Sequence, residues 1–304
     1  MRRATRFGAM ASALAVTAAA TVAILPAQAA DGPVPAGYRV VARESLEPGV
    51  DDLTLRQDQP AENVHVARLA PGVAARLRPV LSSDVLTGPA SGPETTSSMC
   101  ARVQCVVAVN GDFMGAGGAL VGAMISRGEL VATPGIAHTQ LSFDAAGGAT
   151  FGEGLNWRGQ VATNDGSAVA LGAVNRPLAG DGVTLYSQRW GRSTLTDAGA
   201  MEAVVQLASS AVLPSGTTAI RAITLRSGGN APIGPGQVVL AAHGAGAQAL
   251  VAFAQRAARV GGTLTVQTAA LQSTGASPQL LSHGQLGYPA GNTDSFTQSR
   301  FPRT

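Results

Sequence analysis

The chain has 304 residues, 45% of them hydrophobic and 4% aromatic, with 21 Arg and no Lys against 18 acidic residues. The first thirty residues hold three of those Arg and none of the acids, so the remainder balances 18 Arg with 18 Asp and Glu. With no run of Arg left and few aromatics, nucleic acid and an anionic membrane surface are excluded as natural partners of that remainder.

Arg2, Arg3 and Arg6 form a basic start, residues 9–25 an apolar run, and "PAQAA" a set of small residues after it. This is the pattern of a cleaved export signal over residues 1–30, which places the protein outside the cell or in the envelope. Residues 31–90 read as an N-terminal strand segment and 91–304 as the main domain. In the first, "YRVVARESL", "NVHVARLA" and "RLRPVLSS" are predicted strands separated by "EPGVDD" and "APGVAA". "ETTSSMCAR" predicts a short helix with hydroxyls at its start, followed by a strand over "VQCVVAVN". Cys100 and Cys105 are the only cysteines, and in an exported chain the pair predicts a disulfide closing a short loop. Two thiols without a neighbouring His fall short of a zinc site's four ligands, so no metal is assigned and any cofactor is left unknown.

Farther on, "AMISRGELVAT" predicts a hairpin turning at Arg127-Gly128, and "TQLSFDAAGGATFG" a second turning at Gly147-Gly148. "DGVTLYSQRWG", "MEAVVQLASSAV" and "TAIRAITLRSGG" continue the strand character. "GAQALVAFAQRAARVGG" has apolar residues at helical spacing and ends in glycine, a clear helix. The expected class is α+β: a strand-rich mixed-sheet domain with few helices.

"VVLAAHGAGAQALV" imitates a dinucleotide-binding turn through Gly244, Gly246 and Ala249. No Asp or Glu lies between Glu202 and Asp294 to hold a ribose hydroxyl, so tight strand-to-helix packing is the preferred explanation. There is no G-x-S-x-G elbow and no H-E-x-x-H, which removes the common serine-hydrolase and zinc-protease motifs. The informative stretch is "VVAVNGDFM", where an apolar run ends in Asn110-Gly111-Asp112 beside "GAGG". Asp112 is the best-placed carboxylate for acid/base work. Either it faces a ligand, or Asn110 and Asp112 close an Asx-type turn by bonding the backbone.

In order and spacing, "AVNGDFM", "GALVGAMISRGELV", "AVNRPLAGDGVTLYSQRWG", "GPGQVVLAAHGAGAQALVAF", "SPQLLSHGQ" and "RFPRT" resemble the phosphodiester glycosidase family. Its lysosomal member removes N-acetylglucosamine from a phosphodiester, and its bacterial members are called exopolysaccharide-related proteins. The resemblance spans residues 40–304 and departs at Met114, where the family has an aromatic. It implies a glycosidase-like fold and hydrolysis of a sugar, N-acetylglucosamine-like, from a phosphodiester. Asp112 would act on water or on the positive sugar, Asn110 would position Asp112 or a sugar hydroxyl, and Glu129 would be a second carboxylate. Gly111, Arg303 and Thr304 would contact substrate, with Arg303 on the phosphate. The family pattern continues beyond a block like "PRT", so the chain reads as a C-terminally incomplete member whose own hydrolysis is expected to be inefficient. Two other classes fit the same features: a non-catalytic module binding wall glycan or exopolysaccharide, and an inert fragment. The exported chain is expected to begin at Ala30 or Asp31, which N-terminal sequencing reads directly; an uncut Met1 end would remove the export reading.

Overall fold

The computed structural model describes residues 36–59, 61–73, 76–87, 94–113, 119–136, 139–209 and 215–275, with residue 34 and two short strands near 281–286. The signal segment therefore lies outside the described residues. Two compact units divide between Val73 and Ala74.

The smaller unit is an antiparallel meander of β1 (Arg39–Glu47), β2 (Val50–Asp58) and β3 (Ala61–Leu69). Strand β2 is a correction to the sequence reading: only Pro48-Gly49 turns, and "VDD" already belongs to the central strand. Its alternation explains why. Leu53 and Leu55 are buried, whereas Asp51 survives burial because Arg43 and Arg68 both reach its Oδ2, at 3.1 and 2.7 Å. The Arg68 hydrogen bond holds the Asp51 carboxyl below the usual carboxylate range.

In the larger unit, "RLRPVLSS" forms no strand; Pro79 lacks an N–H for a ladder, and the segment runs irregularly into a 3₁₀ turn at Ser82–Asp84. Helix α1 (Thr96–Val103) is as predicted, with Thr95 capping it by accepting from Ser98 N at 3.2 Å. The strand expected over "VQCVVAVN" is absent. Gln104 ends α1 in the left-handed region (φ 54°), the Cys100–Cys105 disulfide ties the chain back to the helix, and no described strand pairs with residues 106–110. Val109 is left 78% exposed.

Strands β4 (Met124–Ser126) and β5 (Glu129–Ala132) form the first predicted hairpin, and Arg127 and Gly128 both take positive φ, as its two-residue turn requires. Strands β6 (Thr139–Phe143) and β7 (Ala149–Glu153) form the second; Asp144 Oδ1 accepts from Ala146 N and Gly148 N at 2.9 and 2.8 Å inside its turn. Six strands come next: β8 (Trp157–Thr163), β9 (Ala168–Val174), β10 (Val183–Tyr186), β11 (Met201–Leu207), β12 (Gly216–Ser227) and β13 (Gln237–Ala242). Then come α2 (Gly244–Val260), β14 (Gly262–Thr268), β15 (Gln272–Gly275) and the pair β16 (Leu281–Ser282) and β17 (Gln285–Leu286). The α+β class stands, with many strands and two α-helices among the described residues.

A closed barrel in the order β10-β13-β11-β12-β14-β8-β9 dominates this unit; its one parallel pair, β9 with β10, makes the sheet mixed and closes it. Strand β13 shows how the sequence suits this. Val238, Leu240 and Ala242 join the core cluster that includes Leu250, Phe253 and Ala254 of α2, while Val239 and Ala241 join a second cluster with Met124, Val131, Tyr186 and Trp190. Burial on both faces accounts for the unbroken apolar run "VVLAA". The glycines of "HGAGA" serve packing: a Cβ on Gly246 would strike the Asp181 carbonyl and lie 3.2 Å from Ala242 Cβ. The second sheet runs β5-β4-β15-β6-β7, with β15 returning from beyond the barrel to lie between β4 and β6.

One buried carboxylate fastens the barrel's outer loops. Glu202 is fully buried; its Oε1 accepts from Thr194 Oγ1 and Thr196 Oγ1 at 2.6 and 2.9 Å, and its Oε2 from Ala231 N at 3.0 Å. Glu202→Ala leaves three donors without an acceptor and is expected to destabilise the fold by about 3 kcal/mol, read as a lower urea midpoint at unchanged slope. A midpoint equal to wild type would show that the three donors find other acceptors.

Candidate functional site

The segment Asn110-Gly111-Asp112-Phe113 crosses between α1 and the second sheet, and its two polar side chains are used differently. Asn110 is exposed, and its Oδ1 accepts from Thr96 Oγ1 at 2.5 Å. It stands on the edge of an open hollow of about 590 Å³ whose lining includes Thr95, Thr96, Ser97, Cys100 and Val106. Asp112 is half-buried. Its Oδ1 accepts from Phe113 N at 2.8 Å and its Oδ2 from Gly122 N at 2.5 Å, so the carboxylate pins the chain before β4 back onto the loop. Of the two readings left open by the sequence, this is the backbone-bonded arrangement for Asp112, but not for Asn110.

The glycines next to Asp112 in space are the reason it can sit there. A Cβ on Gly122 would lie 2.7 Å from Asp112 Oδ2 and 2.8 Å from the Gly275 Cα, and a Cβ on Gly275 would overlap the Asp112 carboxylate. The two glycines come from opposite ends of the unit and form a seat closed beneath the carboxylate. Gly111 is less constrained, since a Cβ there would meet Thr274 Oγ1 at an ordinary 3.6 Å. Buried Gln140 backs the seat: its amide oxygen faces Ala123 N at 3.0 Å and its amide nitrogen faces Ala123 O and Thr274 O, each at 3.2 Å.

Sequence reasoning missed the cation of this site. Arg176 donates to the Leu120 carbonyl and lies over Gly135, where a Cβ would collide with its guanidinium. Burial pushes the Arg176 guanidinium below its ordinary value, and the Asp112 charge acts in the opposite direction, favouring the charged form. Its place is set by Asn175, which is fully buried in a left-handed conformation (φ 50°). Asn175 Nδ2 donates to Val131 O at 2.7 Å and Ser187 Oγ at 2.8 Å, while its Oδ1 accepts from Ser187 N at 2.8 Å. The one available signal was "AVNRPLAG", where Asn and Arg follow an apolar run just as Asn110 does.

Glu129, expected as a second carboxylate, is not free: it is 5% exposed, and Arg189 donates to its Oε1 and Oε2 at 2.9 and 2.7 Å. That two-point pairing raises the Arg189 guanidinium above its ordinary value. Cys100 and Cys105 form the expected disulfide at the end of α1. Arg303 and Thr304 lie outside the described residues, as does Met114.

No protein-family model and no curated protein matches the chain. Among solved structures it is similar to a hypothetical protein from Synechocystis, with a TM-score of 0.54 and 20% identity over 85% of this chain and 46% of that one. It is also similar to a Burkholderia pseudomallei protein inferred to be exported, with a TM-score of 0.51 and 26% identity over 76% of this chain and 50% of that one. The chain thus spans about half the length of each, and the likeness is one of fold.

The glycine seat makes a direct prediction. Gly275→Ala is expected to force Asp112 off Phe113 N and Gly122 N and to cost about 1–3 kcal/mol, whereas Gly152→Ala, with open space around it, should stay within about 0.5 kcal/mol of wild type. Equal denaturation midpoints for the two variants would show that the carboxylate can move without loss.

Proposed function

We propose that the protein is an exported member of the phosphodiester glycosidase family and that the site at Asp112 acts on a sugar-1-phosphodiester. The observation that carries this reading is the glycine-cleared seat that holds the Asp112 carboxylate, with Arg176, a cation from a separate part of the sequence, near enough for the Asp112 charge to act on it. Hydrolysis here breaks the bond between the anomeric carbon and the bridging oxygen. Water supplies oxygen to the carbon, and the phosphate monoester leaves with the electron pair. Two charges develop: positive on the sugar ring and negative on the departing phosphate. Asp112, fixed by two backbone N–H groups, is suited to the first, and a guanidinium such as Arg176 to the second, because a preoriented charge needs no rearrangement as the reaction proceeds. Arg303 keeps the phosphate role that the resemblance implies. Asn110, beside the hollow that Thr95, Thr96 and Ser97 share with Val106 and Val107, would position a sugar hydroxyl. Glu129 takes no part in this step, since Arg189 occupies both of its oxygens. The glycosidase-like fold is part of the same proposal. Export is supported by the N-terminal signal pattern, the Cys100–Cys105 bridge and the likeness to a protein inferred to be exported.

A second reading, a non-catalytic module that binds wall glycan or exopolysaccharide, draws on the fact that both Asp112 oxygens already serve the backbone. One assay separates the two. Hydrolysis of an N-acetylglucosamine phosphodiester is measured for the chain and for the chain extended by the family's C-terminal segment. Turnover is expected from the extended form, and Asp112→Asn in that form is expected to lower the rate at least about a hundredfold. Saturable glycan binding without turnover in either form would establish the binding module, and unchanged turnover in a folded Asp112→Asn protein would remove Asp112 from the chemistry.

A further inference from the structure

A second cluster of charge, outside the Asp112 site, surrounds a small partly open pocket lined by Arg78, Leu81, Asp84, Met124, Ser126 and Arg189, among others. Its volume is about 20 Å³, room for one water-sized group. The Nε of Arg78 is buried with no hydrogen-bond partner, and Arg78 makes no ion pair among the described residues. Buried donors of this kind call for an acceptor.

The charges around Arg78 do not provide one. Arg102, Arg127 and Arg189 oppose its positive charge, and among its facing groups only Asp84 favours it; burial of the guanidinium is the larger unfavourable factor. The nearby carboxylates are committed. Glu129 is held at two points by Arg189. Glu94 accepts from Arg102 Nε at 3.0 Å, and Asp84 from another Arg102 nitrogen at 2.9 Å, with Arg189 at 3.9 Å. Four guanidinia therefore share three carboxylates. The loop that carries Asp84 is built against conformational preference, since Ser83 (φ 51°) and Asp84 (φ 60°) are successive non-glycine residues in the left-handed region. Glu94 holds it there: Glu94 Oε2 accepts from Ser83 N at 2.6 Å, and Glu94 N donates to Ser82 Oγ at 2.7 Å.

We propose that this pocket is a binding site for a tetrahedral oxyanion of the phosphate type, one of whose oxygens enters it to accept from Arg78 Nε while the others remain at the open side facing Arg189. A neutral water would satisfy the nitrogen but leave the excess charge; an oxyanion answers both. The site does not rest on the hydrolase reading, because neither Asp112 nor Arg176 lines the pocket. Its ligand is either a free ion or the phosphate end of a larger molecule.

The test is calorimetric titration of the purified full chain with inorganic phosphate in a constant chloride background. Wild type is expected to bind saturably with a dissociation constant on the order of 1 mM. Arg78→Met should weaken binding at least about tenfold, while Arg158→Met, an exposed Arg elsewhere on the unit, should leave it unchanged. Asp84→Asn, which removes the pocket's own negative charge and keeps a residue tolerant of positive φ, should tighten it by about threefold or more. That gain of function cannot arise from misfolding. A parallel titration with glucose 1-phosphate distinguishes the sources: a monoester bound at least about tenfold more tightly than inorganic phosphate assigns the site to a phosphorylated ligand, and equal affinity assigns it to the free ion. No saturable phosphate binding by wild type, or Asp84→Asn binding no better than wild type, would overturn the proposal.

Discussion

A buried amide joins the barrel to the second sheet of the larger unit. Asn175 reaches β5 through Val131 O and the end of β10 through Ser187, while its own N–H donates to Leu185 O at 2.8 Å. The same seam carries Thr133 N and Oγ1, both bonded to Val174 O. An amide fits here because two donors and an acceptor are needed within one turn of chain, and Asn tolerates the left-handed conformation that the turn imposes. Arg176 is then delivered by geometry, since the residue after so tightly held a neighbour has little freedom in where it starts.

The Asp112 seat depends on the second sheet for its floor, and the seam brings Arg176 within range of the Asp112 charge. Its logic is one of exclusion rather than attraction. Two side chains are missing, at Gly122 and Gly275, and into the cleared space fits a carboxylate whose oxygens restrain the loop they belong to. The opposite logic applies at Glu129 and Glu202, which are buried among donors that take up their charge. Three carboxylates of similar chemistry thus do different work because of what surrounds each.

Features that are local in the chain were legible in the sequence. The Arg127-Gly128 turn needs only two residues with positive φ, α2 announces itself by apolar spacing and Gly261, and the Cys100–Cys105 bridge joins residues five apart. Features that depend on distant partners were not. The barrel closes through a parallel pairing of β9 with β10 that no short pattern encodes, and the hairpin of β8 with β9 is built from Gly159, Gly172 and several Ala, which carry little apolar signal. The run at Val106, Val107 and Val109 has strand composition but no described ladder, and composition alone cannot supply one. At the site, Asp112 was legible as a carboxylate at the end of an apolar run, but its seat was not, because Gly275 comes near only after folding.

The place of β15 in the second sheet joins distant parts of the chain. Residues 272–275 pair with Phe143–Gln140 and with Ile125, so every strand of the barrel lies in the chain between both neighbours and their central strand. Pairings of such separation raise contact order and slow folding. Since Gly275 ends β15 and floors the Asp112 seat, the carboxylate is housed only while this strand is docked, and a brief peeling of the same strand unhouses it. The site therefore inherits the lifetime of one short strand's docking, not that of the barrel, and amide exchange along Gln272–Gly275 is the clock that keeps it.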